Sequence, residues 1–138
     1  MTEDENRLIR ESWAHVMPIA DTAASLFYDH LFTIDPSVRP LFANADMAAQ
    51  RGKLVQALDL VVTSLDDLDG ILEALRDLGR RHVDYGVTAT HYGSVGAAFL
   101  WTLEAGLGDA WTEETGAAWA RAYGLIAEVM QETEAAAV

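Results

Sequence analysis

The stretch Leu78-Gly79-Arg80-Arg81-His82-Val83-Asp84-Tyr85-Gly86 decides how this chain is read. Counting back from His82, Leu78, Leu75 and Ile71 recur at steps of three and four residues. Those steps put all of them on one stripe of a helix. A histidine therefore closes an apolar face, just before a glycine stop. Imidazole is the commonest metal ligand among side chains. The chain has no cysteine, so a thiolate ligand is excluded. The plainer reading of this stretch alone is a core histidine bonded to a backbone carbonyl.

The rest of the chain reads as helix, with no sustained alternation of the kind a strand needs. Thr2-x-x-Glu5 is a capping-box pattern, and the first helix starts there. It carries Ile9, Trp13 and Val16 on one face, and Pro18 interrupts it. The second helix bears Leu26, Phe27, Tyr28, Leu31 and Phe32, and Asp35-Pro36 ends it, because the residue before proline avoids helical geometry. A short helical turn leads through Arg39-Pro40 to Leu41-Phe42, and 43–46 reads as a loop. A long helix from about Met47 to Leu65 places Met47, Gln50, Leu54, Leu58, Val61 and Leu65 near one face. Gly52 inside it is expected to mark a close helix crossing. The acidic run Asp66-Asp67-Leu68-Asp69 is expected to cap the helix that ends in His82. Thr88 starts the next helix, with Tyr92, Val95, Phe99 and Leu103 on one face, and Gly106-Leu107-Gly108 stops it. The last helix starts at Thr112 and buries Trp119, Tyr123, Ile126 and Met130.

The chain has 138 residues, one domain's length, and about half of them are apolar, enough to bury a real core. Its formal net charge is −13, with Lys53 its single lysine. Such a surface repels phosphate backbones and anionic lipid, which argues against nucleic-acid and membrane partners. The acidic N-terminus has no apolar run and is not a signal peptide. No stretch approaches the roughly 20 apolar residues that span a bilayer, so the cytoplasm is the default compartment. The lack of cysteine also excludes covalent attachment of a haem through Cys-x-x-Cys-His.

A neutral imidazole on an apolar helix face is what an axial ligand to haem iron requires. Two more residues break the apolar logic of their helices. Tyr28 is a phenol among Leu26, Phe27, Leu31 and Phe32, and Gln50 is an amide one turn before Leu54. Each alone is an ordinary rim residue. Together they offer two neutral donors that can face one apolar cavity from two helices, where polar groups need partners. Phe42, at the corner before the long helix, suits either a wedge against a flat cofactor or ordinary packing. Tyr92 and Glu134 form a candidate supporting pair for His82, since metal-bound histidines donate their other N–H to a carboxylate or carbonyl. Glu134 is in phase with Met130, but its neighbours are acidic surface. Of the other histidines, His15, His30 and His91, none closes an apolar stripe.

These residues, taken with 26–32, 35–42, Gln50-Arg51, Tyr85-Gly86-Val87, His91-Tyr92, Val95-Gly96, Ala118-Trp119 and Ala122-Tyr123-Gly124, resemble a globin. The likeness is to a bacterial single-domain haemoglobin and to the globin domain of flavohaemoglobins. The run from Leu78 to His82, with 85–87 and 91–92, is most similar to the Hell's Gate type of bacterial globin. The resemblance implies one all-α globin domain over 1–138, with helices sandwiching a non-covalent haem b. It implies His82 as the iron ligand and Phe42, Leu54, Tyr85, Val87, Tyr92 and Val95 against the porphyrin. Lys53 and Arg81 would reach its propionates. Tyr28 and Gln50 would be the distal donors, with Tyr92 and Glu134 as the proximal pair. It implies reversible binding of oxygen, nitric oxide or another diatomic ligand. Nitric oxide detoxification or peroxide chemistry would need a separate reductase, because the chain ends where flavohaemoglobins continue. The alternative is a gas sensor or protein-interaction module without turnover.

Overall fold

The computed structural model describes the backbone of residues 2–136 and the side chains of residues 2–131. Among these residues there are six α-helices and no strand. They are α1 (Glu3–Val16), α2 (Ala20–Ile34), α3 (Met47–Thr63), α4 (Leu72–Asp84), α5 (Ala89–Leu107) and α6 (Glu113–Ala136). A 3-10 segment, Pro36–Phe42, turns the corner between α2 and α3. The fold class is all-α, as the sequence implies.

Local signals set most of the boundaries. The Thr2 hydroxyl accepts from the Glu5 N–H, and the Glu5 carboxylate accepts from the Thr2 N–H, which completes the capping box of α1. Asp46 caps α3 through the N–H groups of Ala48 and Ala49. Thr88 caps α5, and Gly108 ends it with a positive φ of 53° that only glycine adopts at low cost. Helix α4 departs from expectation. Its N-cap is Ile71, after a 3-10 turn over Leu68–Ile71, and no acidic side chain caps either element. The acids of 66–69 act elsewhere, as where Asp66 pairs with Arg10 of α1 at 2.8 Å.

The core lies where α1, α2, α5 and α6 cross, around Ile9, Leu31, Ala98, Phe99, Leu103 and Trp119. Ile9 and Leu31 are each only 1% exposed, and each such burial stabilises by about 1.5–3 kcal/mol. The polar groups caught there are bonded. Trp119 Nε1 donates to Ser12 Oγ at 2.8 Å, and Ser12 Oγ donates to the Leu8 carbonyl at 2.7 Å. Trp13 Nε1 donates to Asp59 at 3.0 Å, which ties α1 to α3.

Two packing facts place the functional region. Helix α4 lies chiefly against α6, whereas α3 leans on α2 and α1. The close crossing falls at Gly79 of α4, not at Gly52. A Cβ on Gly79 would stand 2.2 Å from the Met130 carbonyl oxygen of α6. Around Gly52 nothing lies within 4 Å, so the expectation for that glycine is wrong. Gly52 sits on the exposed side of α3. Val61 of α3 and Leu65 just beyond it line, with Leu72 and Leu75 of α4, an apolar cavity of about 40 Å³. From that cavity, Gln50 lies about 16 Å back along α3 from Val61, and His82 about 10 Å on along α4 from Leu75, at 1.5 Å per residue.

Candidate functional site

On the α2 side, Tyr28 is buried in an aromatic group. Its ring centroid is 4.9 Å from Phe27, 5.5 Å from Phe42 and 6.1 Å from Phe32. The 3-10 corner brings Phe42 there. Gln50, in the first turn of α3, donates its amide Nε2–H to the Tyr28 hydroxyl oxygen at 3.2 Å. The two polar misfits of the sequence therefore meet. The bond also settles their roles. Tyr28 accepts from Gln50, so its own proton remains to be donated, and no acceptor for it stands among the described residues. Burial pushes the Tyr28 phenol up from its usual range, with a smaller opposing effect from the Gln50 bond. It is a neutral donor at any ordinary pH. Leu54, Val55 and Leu58 continue the same wall of α3 as half-buried apolar side chains.

On the α4 side, His82 Nδ1 pairs with the Leu78 carbonyl at 2.7 Å. The N–H is therefore on Nδ1, and the lone pair on Nε2. No hydrogen-bond partner for Nε2 stands among the described residues. Burial lowers the His82 pKa, the Leu78 bond opposes that, and Arg81 lowers it further. A neutral imidazole with a free Nε2 is the ligand form that iron takes. The two readings of His82 that the sequence left open thus coexist. One nitrogen bonds a backbone carbonyl and the other is free to coordinate.

Among the described residues, the Leu78 carbonyl is the hydrogen-bond partner that orients His82. The Tyr92 ring lies 6.4 Å from the imidazole, tilted by 31°. Glu134 has its side chain outside the described residues. Tyr92 is held through its backbone: Tyr123 O–H donates to the Tyr92 carbonyl at 2.6 Å. Gly96 admits the Tyr123 ring, since a Cβ at 96 would stand 2.8 Å from it. Burial raises the Tyr123 phenol, with Tyr92 adding to the shift.

The remaining expected contacts divide by exposure. Val95 is packed on the core cluster, and Val87 is half-buried just past the positive-φ turn at Gly86. Tyr85 is 61% exposed, with its ring centroid 6.2 Å from His82. Lys53 and Arg81 are both exposed. The structure pairs most arginines with carboxylates. Lys53, Arg81 and Arg39 have no such partner among the described residues, and Arg39 lies over the Phe32 ring at 5.3 Å. In a chain with 22 acids, cations without a carboxylate partner are open to an anionic group.

The other histidines are accounted for. His30 stacks on Trp101 with centroids 3.8 Å apart and planes within 5°. His91 Nδ1 accepts the Thr88 N–H at 3.1 Å, which completes the cap of α5. His15 is exposed in the last turn of α1. No cluster of three or more His, Asp or Glu residues suited to a metal ion forms among the described residues.

The residues fit a flat iron porphyrin. They supply one imidazole with a free Nε2, half-buried apolar side chains, a buried phenol with an uncommitted proton, and cations without a carboxylate partner among the described residues. Comparison with known proteins decides the family: the globin family model matches residues 25–130.

The chain belongs to the globin family.

Among its relatives are neuroglobins of fish. That of Chaenocephalus aceratus is 26% identical, over 96% of this chain and 91% of the relative. That of Danio rerio is 27% identical, over 94% and 90%. Membership implies haem as the cofactor of this globin and diatomic gases as its ligands. Among the described residues, none of its helices is long and apolar enough to cross a membrane. Sequence reasoning offered a backbone carbonyl for His82 without saying which, and missed two glycines of the site. Leu78 orients His82 through its carbonyl, four residues back as any helical carbonyl is. Gly79 and Gly96 are small residues on inward faces, and that inward position was their only signal.

Proposed function

We propose that this globin, as a single domain, holds one haem b through His82 and binds a diatomic gas tightly. The reading extends to nitric oxide detoxification or peroxide reduction, with electrons from a separate reductase. The observation that carries it is the Gln50–Tyr28 hydrogen bond, which leaves the Tyr28 proton uncommitted in a buried, apolar place.

When bound, the haem supplies an iron centre that takes up a gas and exchanges electrons. The chain supplies the rest. Leu78 fixes the tautomer and direction of His82. Phe42, Leu54, Val87, Tyr92 and Val95 exclude water from the porphyrin faces, and Tyr85 covers an edge. Lys53 and Arg81 neutralise the propionates. Tyr28 offers its proton to a gas molecule that carries partial negative charge, and Gln50 holds the hydroxyl in that direction. A hydrogen bond to a charged acceptor is worth about 1.5–3 kcal/mol, which slows release by about 10- to 150-fold. Slow release suits reaction of the held gas more than its delivery. Glu134, with Tyr92, belongs to the same reading as a support for the proximal side.

Stopped-flow mixing with nitric oxide tests the turnover. The air-equilibrated reduced protein should form one nitrate per chain and then stop. Repeated turnover should need an added reductase and reduced nicotinamide. Nitrate below one per chain, or no gain from the reductase, would contradict the detoxification reading.

A further inference from the structure

One polar cluster has no part in the site described above. Asp35 lies at the end of α2, where it caps the 3-10 corner. One of its carboxylate oxygens accepts from the Ser37 N–H at 3.2 Å and from the Ser37 hydroxyl. The other accepts from the Ser94 hydroxyl of α5 at 2.7 Å. His91, also on α5, meets Ser37 Oγ through Nε2 at 3.3 Å. Because its Nδ1 accepts from Thr88, the ring proton is on Nε2 and is donated to Ser37. The donors thus run in one direction, from His91 to Ser37 to Asp35, and Ser94 closes the other side. Asp35 is the charged group facing His91, and the first turn of α5 holds no acid. Arg39, the cation of the corner, faces Phe32 instead.

The position of this cluster gives it a consequence. His91 and Ser94 are three residues apart, on the face of α5 turned to the corner. Tyr92 and Val95 follow each of them by one residue, about 100° round the helix. The Tyr92 ring lies near His82, and Val95 packs against the core cluster. The far end of the corner carries Phe42 onto Tyr28. The cluster therefore spans the two halves of the site by bonds across elements.

We infer that Asp35, Ser37, His91 and Ser94 are positioning residues, a clamp that sets Tyr92 against His82 and holds the Phe42 corner in step with it. This rests on the functional reading above, and its test has readouts that do not need haem. Ser94→Ala removes the bond between Asp35 and Ser94, and Asp35→Asn removes the charge and one of the two acceptor oxygens that Ser37 and Ser94 share. Ser94→Thr keeps the hydroxyl. Hydrogen exchange is followed over residues 86–95 of the full chain, and ring-to-ring Overhauser contacts between Tyr92 and His82 are measured in a diamagnetic sample. Removing one charge-assisted hydrogen bond that is partly open to solvent should speed exchange there by about tenfold. The Tyr92–His82 contacts should weaken in Ser94→Ala and Asp35→Asn and return in Ser94→Thr. Unchanged exchange would overturn the clamp. Faster exchange with unchanged contacts would reduce it to a local cap and overturn the positioning role. A protein purified without haem counts against the functional reading alone, since both readouts are still measured on it.

Discussion

Replacing Gly79 with alanine should cost this protein stability, whereas the same change at Gly52 should add some. A Cβ at 79 would meet Met130 at 2.2 Å from its carbonyl oxygen, 2.8 Å from its Cα and 2.9 Å from its carbonyl carbon. Non-bonded carbon atoms settle at about 3.5–4.0 Å, so α4 and α6 must part by about 1 Å. Backbone atoms, unlike side chains, have no rotamer by which to yield. Overpacking costs typically 1–3 kcal/mol, and against backbone that cannot yield the upper part of that range applies, about 2–3 kcal/mol. The better helix propensity of alanine returns up to about 1 kcal/mol, which leaves a net loss of roughly 1–2 kcal/mol. At Gly52 the added methyl meets nothing within 4 Å, and only the propensity gain remains, about 0.5–1 kcal/mol. The variants should therefore straddle the wild type, with midpoints roughly 5–12 °C apart in thermal unfolding. Urea unfolding is the cleaner assay, with midpoints read at constant slope. His82 lies less than a turn beyond Gly79, so Gly79→Ala should also retain its cofactor less well. A Gly79→Ala variant as stable as Gly52→Ala would refute the crossing.

Further outcomes follow from the site. Tyr28→Phe should speed oxygen release by about 10- to 150-fold, and Gln50→Leu less; the double variant should release no faster than the sum of the single effects implies, as laser flash photolysis reads. His82 has its pKa lowered by burial, so the unfolded chain binds its proton more readily than the folded one. Stability from this group is full above the ordinary imidazole value of about 6.5 and falls as pH drops from there towards the lower folded value. In the haem-free protein, urea midpoints in that window should fall less steeply in His82→Gln. The hydrogen bonds of Ser37 and Ser94 hold the Asp35 carboxyl below its ordinary range. Its contribution is present above the ordinary carboxylate value of about 3.9 and is lost as pH falls through the folded value. Asp35→Asn should flatten the acid limb of the stability curve.

The helices were legible because their signals are local. Thr2-x-x-Glu5, Asp35-Pro36, Thr88 and Gly108 act within a few residues of themselves, and the structure uses each of them. The polar misfits Tyr28 and Gln50 were legible for a related reason. A phenol or amide on an apolar stripe needs a partner, and each proved to be the other's. The glycines were not legible. Gly52 and Gly79 both interrupt helices, and only the long-range packing of α4 on α6 tells them apart. The acids of 66–69 misled because a capping pattern competes with a 3-10 turn that satisfies the same backbone groups. The clamp of Asp35, Ser37, His91 and Ser94 joins residues up to 59 apart in sequence, and no local pattern marks it. For His82 the helical stripe indicated the face, but which nitrogen is free depends on the Leu78 carbonyl.

The central claim is that the His82 Nε2 is the protein's ligand to haem iron. Its most direct test is the optical and resonance Raman spectrum of purified wild type beside His82→Ala, in the ferric and ferrous states. Wild type should carry one b-type haem per chain with a histidine–iron stretch. The variant should lose the haem, or hold it loosely until added imidazole restores the band. A His82→Ala protein that keeps the wild-type haem content and histidine–iron stretch without added imidazole would contradict the account.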